Sequence, residues 1–325
     1  MNPHIFREFS IRGIADQDLT DDVATKIGQA IGTFFEQRGG QSLVVGRDVR
    51  HSSARINSSL IAGILQSRLH VIDVGVVPTP VHNFATDLFA ADGGVMITAS
   101  HNPPEYNGLK IRTDRTLRGD ELLEIYRLAA DLSKGTKFVQ RAKSPADAEA
   151  RRSTHSTPSS GSLQHFDPLP AYLERIKTHA SISRKPGVSG KKGTHRQRSL
   201  KIVVDGGNGP NGLIVPHLLR ELGCEVVELY CEPDGNFPNR SPDPTAPGAT
   251  TDLSASIRAE GGDLGLAYDG DGDRLVVVDE RGNTVFGDQI IMILARDVLR
   301  RGPAKIVDEI LCTQALADDV IFQRA

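Results

Sequence analysis

Short apolar runs that alternate with stretches of helical spacing constrain the fold of this chain more than any other feature. Ser42–Val45, His70–Val74 and Gly94–Thr98 read as buried strands. Thr20 can cap a helix that carries Asp21 and Asp22 in its first turn, where the helix dipole favours negative charge. Val23, Ile27, Ile31 and Phe34 then recur at helical spacing, and Gly39-Gly40 ends the run. Further helices are expected over Ser52–Gln66, from Pro80 to about Ala90, and over Glu121–Asp131. The alternation resumes later, with strands at Leu200–Asp205, Glu225–Tyr230, Leu264–Tyr268 and Leu275–Asp279 and helices at Gly212–Leu222, Asp252–Glu260 and Asp288–Arg300. Strands separated by helices call for sheets with both faces covered. The expected class is α/β: tandem α/β domains with mixed, mostly parallel sheets covered by helices.

Four segments follow from where this pattern stops and restarts. Residues 1–138 and 200–302 each make an α/β domain, 139–199 a flexible linker with a basic insertion and a short helix at Leu169–Thr178, and 303–325 the start of a third domain. Arg151–Gln164 is Ser/Thr-rich and nearly free of apolar residues, the composition of a flexible stretch. Arg184–Lys201 holds Arg184, Lys185, Lys191, Lys192, Arg196, Arg198 and Lys201 with no acid, but no aromatics are interleaved for base stacking, so it reads as a solvated insertion. The stretch from Lys305 offers one strand and one helix at most, leaving residues such as Ile306, Ile310 and Leu311 exposed, as if the chain stops inside a domain. Lys+Arg number 38 against 41 Asp+Glu, a net charge of −3, which argues against nucleic-acid and anionic-membrane partners. Three cysteines are too few for a disulfide framework and suggest a reducing compartment. With no apolar leader at Met1 and no long apolar run, a cytoplasmic monomer is expected.

Asp269-Gly270-Asp271-Gly272-Asp273-Arg274 is the most informative loop. Carboxylates at alternate positions, with glycines between, can all turn toward one point, and they repel one another unless a cation sits among them. Hard oxygen ligands suit Mg²⁺ or Ca²⁺. Glu280 at position 12 imitates an EF-hand, but Arg274 stands where that loop needs glycine, and both flanks read as strands. Mg²⁺ is the expected occupant.

Thr98-Ala99-Ser100-His101-Asn102-Pro103 lies just past a buried strand, where ligand sites of open α/β sheets form. A hydroxyl there, with His101 and Lys110 nearby, can be acylated or phosphorylated. An ordinary polar turn accounts for the same residues, so this segment alone decides nothing. Gly207-Asn208-Gly209-Pro210-Asn211-Gly212 after a strand, with Glu228 near the end of the next, has the form of a dinucleotide fingerprint and makes a nicotinamide enzyme a competing reading. It explains neither the aspartate loop nor the serine segment and ranks below them.

Together these residues resemble the α-D-phosphohexomutase family, most closely its bacterial phosphomannomutase/phosphoglucomutase branch. The matching pieces are Phe6 to Gly13, Val45 to Asp48, Gly75 to Pro80, Thr98 to Pro103, Asn107 to Lys110, Tyr230 to Asn239, Asp269 to Arg274, and Gly287-Asp288. The resemblance implies phosphohexomutase-like domains 1 and 2 followed by a truncated domain 3. It implies that Ser100 is carried as a phosphoserine that interconverts hexose 1- and 6-phosphates (mannose or glucose) through a bisphosphorylated intermediate. By the same resemblance a phosphoserine oxygen joins Asp269, Asp271 and Asp273 in holding Mg²⁺. Arg12, His101 and Lys110 map beside the transferring group, and Phe9 and Arg274 to substrate-binding positions. Lys110 supplies a point charge or, with a lowered pKa, a proton acceptor. Phe9-Ser10-Ile11-Arg12 departs from the branch's Tyr-Asp-Ile-Arg, which removes a phenol hydrogen bond from that contact.

The family's third-domain sugar-specificity loop and fourth-domain phosphate loop have no counterpart here, so residues 1–325 are expected to be an N-terminal portion with little or no mutase turnover. Two other readings are carried alongside: a phosphoglucosamine mutase, and a non-catalytic sugar-phosphate or Mg²⁺-binding protein from a truncated gene.

Overall fold

A computed structural model describes residues 1–133, 161–180, 199–310 and 312–322. The first sheet is built from β1 (Ile11–Ile14), β2 (Ser42–Arg47), β3 (His70–Val76), β4 (Gly93–Ile97) and β5 (Tyr106–Arg112). Its helices are α1 (Ala15–Asp18), α2 (Asp21–Glu36), α3 (Ser53–Ile64), α4 (Thr79–Leu88) and α5 (Asp120–Ser133). As its sequence predicts, α2 is capped by Thr20, whose hydroxyl accepts a 3.4 Å hydrogen bond from the Val23 amide. Period-two alternation then divides the core. Leu43 and Val45 face one way, into a cluster with Ile27, Ile31, Phe34, Ile56, Leu60 and Ile125. Val44 faces the other way, toward Ile72, Val74, Val81 and Ala85.

A further strand, β6 (Ser162–His165), completes the order β1-β5-β4-β2-β3-β6, and α6 (Leu169–His179) follows it. Pairing is parallel from β4 through β2 and β3 to β6, and antiparallel at β1–β5 and β5–β4. Strand β6 corrects the expectation of flexibility at Ser162–Gln164; the rest of that stretch, Arg151 to Ser160, lies outside the described residues. Its four side chains are all exposed, and it is held by backbone pairing, His70 with Ser162 through Asp73 with His165. Such a strand needs no apolar residues, so hydropathy does not reveal it. Helix α6 lays Leu169, Tyr172 and Leu173 on the Val44 cluster. Most of the basic stretch, Arg184 to Arg198, lies outside the described residues; Lys201 is an exception, and its ammonium pairs with Glu225 at 3.1 Å and Glu260 at 3.4 Å.

The second sheet has the order β11-β10-β9-β7-β8, from β7 (Lys201–Asp205), β8 (Glu225–Leu229), β9 (Leu264–Tyr268), β10 (Leu275–Asp279) and β11 (Thr284–Val285). Its β7 pairs are parallel and its β10 pairs antiparallel, so this sheet is evenly mixed. Helices α7 (Val215–Glu221) and α8 (Thr251–Glu260) cover it. The expected helix at Gly212–Leu222 starts later, because Pro210–Leu213 forms a 3₁₀ turn first. Helix α9 (Gly287–Arg300) keeps Ile293, Leu294 and Val298 exposed. Beyond it only helix α10 (Gln314–Phe322) forms among the described residues. The strand expected after Lys305 is absent there, with Val307 and Ile310 exposed, Ile306 half-buried and Leu311 outside the described residues. No helix among the described residues is long and apolar enough to cross a membrane.

Buried within α4, His82 places Nε2 3.2 Å from the Val44 carbonyl oxygen, and burial pushes its pKa from 6.5 down to about 4. The unfolded chain protonates this imidazole near its ordinary pKa while the folded chain keeps it neutral. Stability is therefore full above about pH 6.5 and declines as pH falls toward 4, by roughly 3 kcal/mol from this group. His82→Gln is expected to flatten that acid limb in urea titrations; an equally steep limb in the variant would assign it to other groups.

Candidate active site

Past β4 the chain turns through Thr98–Glu105 and returns as β5. Ser100 sits at the crest with φ +52°, the left-handed region that non-glycine residues enter at a cost. Its amide donates to Thr98 Oγ1 at 2.8 Å. The second sheet presents the hairpin end between β9 and β10, which carries the aspartates, against this crest. Ser100 Oγ donates to Asp269 Oδ2 at 2.8 Å across 169 positions of sequence. The approach is close enough that a Cβ on Gly270 would strike the Ser100 carbonyl oxygen. Strands flank the loop on both sides, as expected, which excludes an EF-hand.

Carboxylate oxygens of Asp269, Asp271 and Asp273 lie within 4.8 Å of one another. Lys110 reaches in from β5, its ammonium 2.6 Å from Asp271 Oδ2 and 2.6 Å from Asp273 Oδ2. Thr79 donates twice to Asp271, through its hydroxyl to Oδ2 at 2.6 Å and its amide to the backbone oxygen at 2.9 Å. Asp269 Oδ1 accepts from the Arg274 amide at 3.1 Å. Burial first, then the Asp271 and Asp273 charges, raise the Asp269 carboxyl above the usual range. Burial opposes ionisation of Asp271 too, but Lys110 and Thr79 outweigh it and hold that carboxyl below the usual range. Lys110 is subject to the same competition: burial disfavours its charge, and Asp271 and Asp273 together raise its pKa. In this arrangement it is a firm ammonium, and a proton acceptor only after leaving the carboxylates. The donor set suits a hard divalent ion on its own chemistry. One atom points the same way: Asp271 Oδ1 is buried without a hydrogen-bond partner.

A cationic wall faces the serine from the other side. Arg12 donates from Nη1 to Asn102 Oδ1 at 2.7 Å, while its buried Nε has no partner. Burial, then the charges of Arg7, Arg50 and Arg274, lower its pKa, partly offset by Asp271. His101 Nδ1 lies 3.4 Å from Ser100 Oγ, and burial followed by Arg274 lowers the imidazole pKa. Ser100 with Asp269, and Lys110 with Asp271 and Asp273, thus form two hydrogen-bonded groups brought together by the three clustered carboxylates, with Arg12 and His101 beside them. Phe9 is 58 % exposed, and Arg274 is exposed at the loop's edge with its charge felt at Arg12 and His101.

Sequence reasoning singled out neither Thr79 nor Arg50 as a site residue. Thr79 stands 192 positions from the aspartate it touches, and its only signal is its place in the Gly75–Pro80 piece. The glycine fingerprint builds a turn that the protein fills itself. The Arg240 guanidinium packs on Gly207 (φ +53°), the Cys231 carbonyl oxygen on Gly212, and Glu228 is paired with Arg220 at 2.6 Å.

Comparison with known proteins agrees with this geometry. A family model described as phosphoglucomutase/phosphomannomutase, alpha/beta/alpha domain I, matches residues 3–134, and one for domain II matches residues 170–282. A phosphomannomutase/phosphoglucomutase of Pseudomonas aeruginosa is 39% identical over 316 residues, 96% of this chain and 60% of that protein. A phosphoglucomutase/phosphomannomutase of Thermococcus kodakarensis is 36% identical over 318 residues, 97% of this chain and 64% of that one. Among solved structures, a phosphoglucomutase/phosphomannomutase family protein from Burkholderia thailandensis superposes with a TM-score of 0.80 at 34% identity, over 99% of this chain and 65% of that one. The chain therefore spans about 60% of the length of the curated relatives it matches. A serine loop and an aspartate hairpin joined across two α/β sheets, on a chain matched over both sheets by the same pair of domain models, place it in the phosphoglucomutase/phosphomannomutase family.

Proposed function

We propose that this chain carries the phosphoryl-transfer half of a phosphohexomutase site. In this reading Ser100 exchanges a phosphoryl group with a hexose 1- or 6-phosphate, of mannose or glucose, through a sugar bisphosphate. The contact from Ser100 Oγ to Asp269 Oδ2 at 2.8 Å carries the proposal, because it joins a hydroxyl nucleophile to an acidic triad. Phosphoryl transfer asks little covalent work of a protein beyond the nucleophile; positioning and charge neutralisation do the rest.

Asp269, Asp271 and Asp273, with Ser100, would hold Mg²⁺, which when bound neutralises negative charge around the phosphoryl group. The remaining roles belong to the chain. Arg12 offers its partnerless Nε to phosphate oxygens in the geometry a guanidinium suits. His101, kept neutral by burial and by Arg274, has Nδ1 3.4 Å from the hydroxyl and is placed to take its proton. Lys110 holds Asp271 and Asp273 together across the two sheets and adds positive charge beside the serine. Phe9 and Arg274 border the open side as substrate contacts. In this reading residues 1–138 form the serine-bearing unit, whose sheet β6 joins and against which α6 packs, 139–199 make the connection that carries both elements, 200–302 form the metal-loop unit, and 303–325 begin a third. A cytoplasmic setting belongs to the same reading, since Cys224, Cys231 and Cys312 are free thiols.

The test is incubation with glucose 1,6-bisphosphate and Mg²⁺ followed by mass spectrometry of the peptides. One phosphoryl group on Ser100 is the expected result. A bisphosphate that binds without ever phosphorylating Ser100 would instead identify a non-catalytic binder.

A further inference from the structure

We propose that Arg50 is the positioning residue of the phosphoryl-accepting serine, an assignment that rests on the function proposed above. Its side chain is 0 % exposed, and that of its ion partner Asp48 is too. A guanidinium has five N–H donors, and Arg50 engages each. Nε donates to Asp48 Oδ2 at 3.1 Å; Nη1 to the carbonyls of Pro103 at 2.5 Å and Tyr106 at 3.1 Å; Nη2 to those of Ser100 at 2.9 Å and Asn102 at 2.6 Å. Four of the five acceptors are thus backbone oxygens, three in the loop that carries the nucleophile and one at the first residue of β5.

Asp48 fixes the guanidinium from behind. Its Oδ1 accepts from the Arg50 amide at 3.0 Å and from Ser53 Oγ at 2.6 Å. From the second sheet's side Phe237 lies over the group, its ring centre 5.0 Å from Cζ. Burying a charge this completely is costly unless every donor is met, and the acceptors that meet them are all in place.

Two features mark this as positioning and not only packing. Ser100 sits at φ +52°, a conformation that costs on the order of 1–3 kcal/mol and persists only where its surroundings over-determine it. Fixing the Ser100 carbonyl does that. A single nitrogen, Nη2, also holds both Ser100 and Asn102, and the Asn102 side chain in turn accepts from Arg12. One guanidinium therefore sets the distance between the nucleophile and the cation placed to receive phosphate. Lysine retains the charge but not the planar fork.

The experiment compares Arg50→Lys with the wild-type chain in phosphoryl uptake from glucose 1,6-bisphosphate. The expected result is a maximal rate about 10²-fold lower, the cost of a misplacement near 1 Å, with the half-saturating bisphosphate concentration and the metal-induced rise in Tm unchanged. A merely structural role lowers Tm and leaves the folded fraction reacting at the wild-type rate, and that outcome overturns the proposal. Should Arg50→Lys fail to fold, hydrogen exchange on the wild-type chain decides. The amides of Ser100, Asn102 and Tyr106 are expected to be protected like those of β4 and β5, and exchange at open-loop rates overturns the assignment. If the wild-type chain accepts no phosphoryl group, the functional reading fails by itself. The clamp is then judged by whether Arg50→Lys loses protection over 98–106 alone, with unchanged protection there counting against it.

Discussion

Ser100→Ala is expected to abolish phosphoryl uptake from a hexose bisphosphate, a fall of at least roughly 10⁴-fold, as for other enzymes stripped of their nucleophile. The variant should still fold. Alanine at φ +52° meets the same backbone cost as serine, and the loop's hold comes from the carbonyl and amide of residue 100, not from its hydroxyl. What changes is Asp269, which loses the 2.8 Å hydrogen bond from Oγ that helps to keep it ionised. Leaving a buried acceptor without its donor costs about 1–3 kcal/mol, so a modest drop in Tm should accompany the complete loss of labelling. Mass spectrometry after incubation with bisphosphate reads the first effect and thermal melting the second. Wild-type phosphorylation of the variant at another residue would remove Ser100 from its proposed role.

Asp271→Ala is the second large effect. Asp271 is the fully buried member of the triad, fixed by Thr79 and Lys110 through one oxygen while the other waits without a partner. A divalent ion bound to the folded state alone, at 100 times its Kd, stabilises a protein by about 2.7 kcal/mol. Wild-type chain titrated with Mg²⁺ or Mn²⁺ should show a Tm rise of that origin, and Asp271→Ala should show none at the same concentration. Without metal the variant should also melt lower, because Lys110 loses one of the two carboxylates that bridge it between the sheets. Removing one partner of a buried pair costs about 3–5 kcal/mol when the other is trapped. Lys110 can still pair with Asp273 at its exposed side, so a smaller loss is expected. An unchanged metal-induced shift in the variant would place the ion elsewhere.

Local order was legible wherever apolar spacing is its cause. The ends of β9 and β10 match their expected bounds because Leu264–Tyr268 and Leu275–Asp279 are short apolar runs cut off by the aspartate loop, and β9 alternates in burial. The aspartate loop stood out because clustered carboxylates need a cation among them, whereas the serine segment gained meaning only beside that loop and the family resemblance. Strand β6 did not stand out, since backbone pairing and polar contacts of Ser162 and Gln164 with His70 hold it, none of which leaves an apolar pattern. The return at Gly108-Leu109-Lys110 is foreshadowed by its short distance from the serine segment, but strand β1 was silent: its pairing with the reversed strand β5, Ile11 with Leu109 through Ile14 with Tyr106, joins segments far apart in the chain. Lys110 shows the same limit at the site. Composition allows it to be either charged or a base, and only its place between two carboxylates decides for the ammonium.

Apolar periodicity was enough, by itself, to determine most helices and strands and an α/β class, and the chemistry of the aspartate loop pointed to a cation; the phosphoryl role of Ser100 came from the family resemblance of the motifs together. Tertiary structure brings together the two motifs that the resemblance implied would meet, and it alone decided that Thr79 steadies an aspartate on the opposite sheet and that Arg50 grips the serine loop. The reason is physical: spacing of apolar side chains acts over a few residues and is written in neighbouring letters. A buried charge finds its partners wherever the folded chain brings oxygens within about 3 Å, and that depends on every element packed around it.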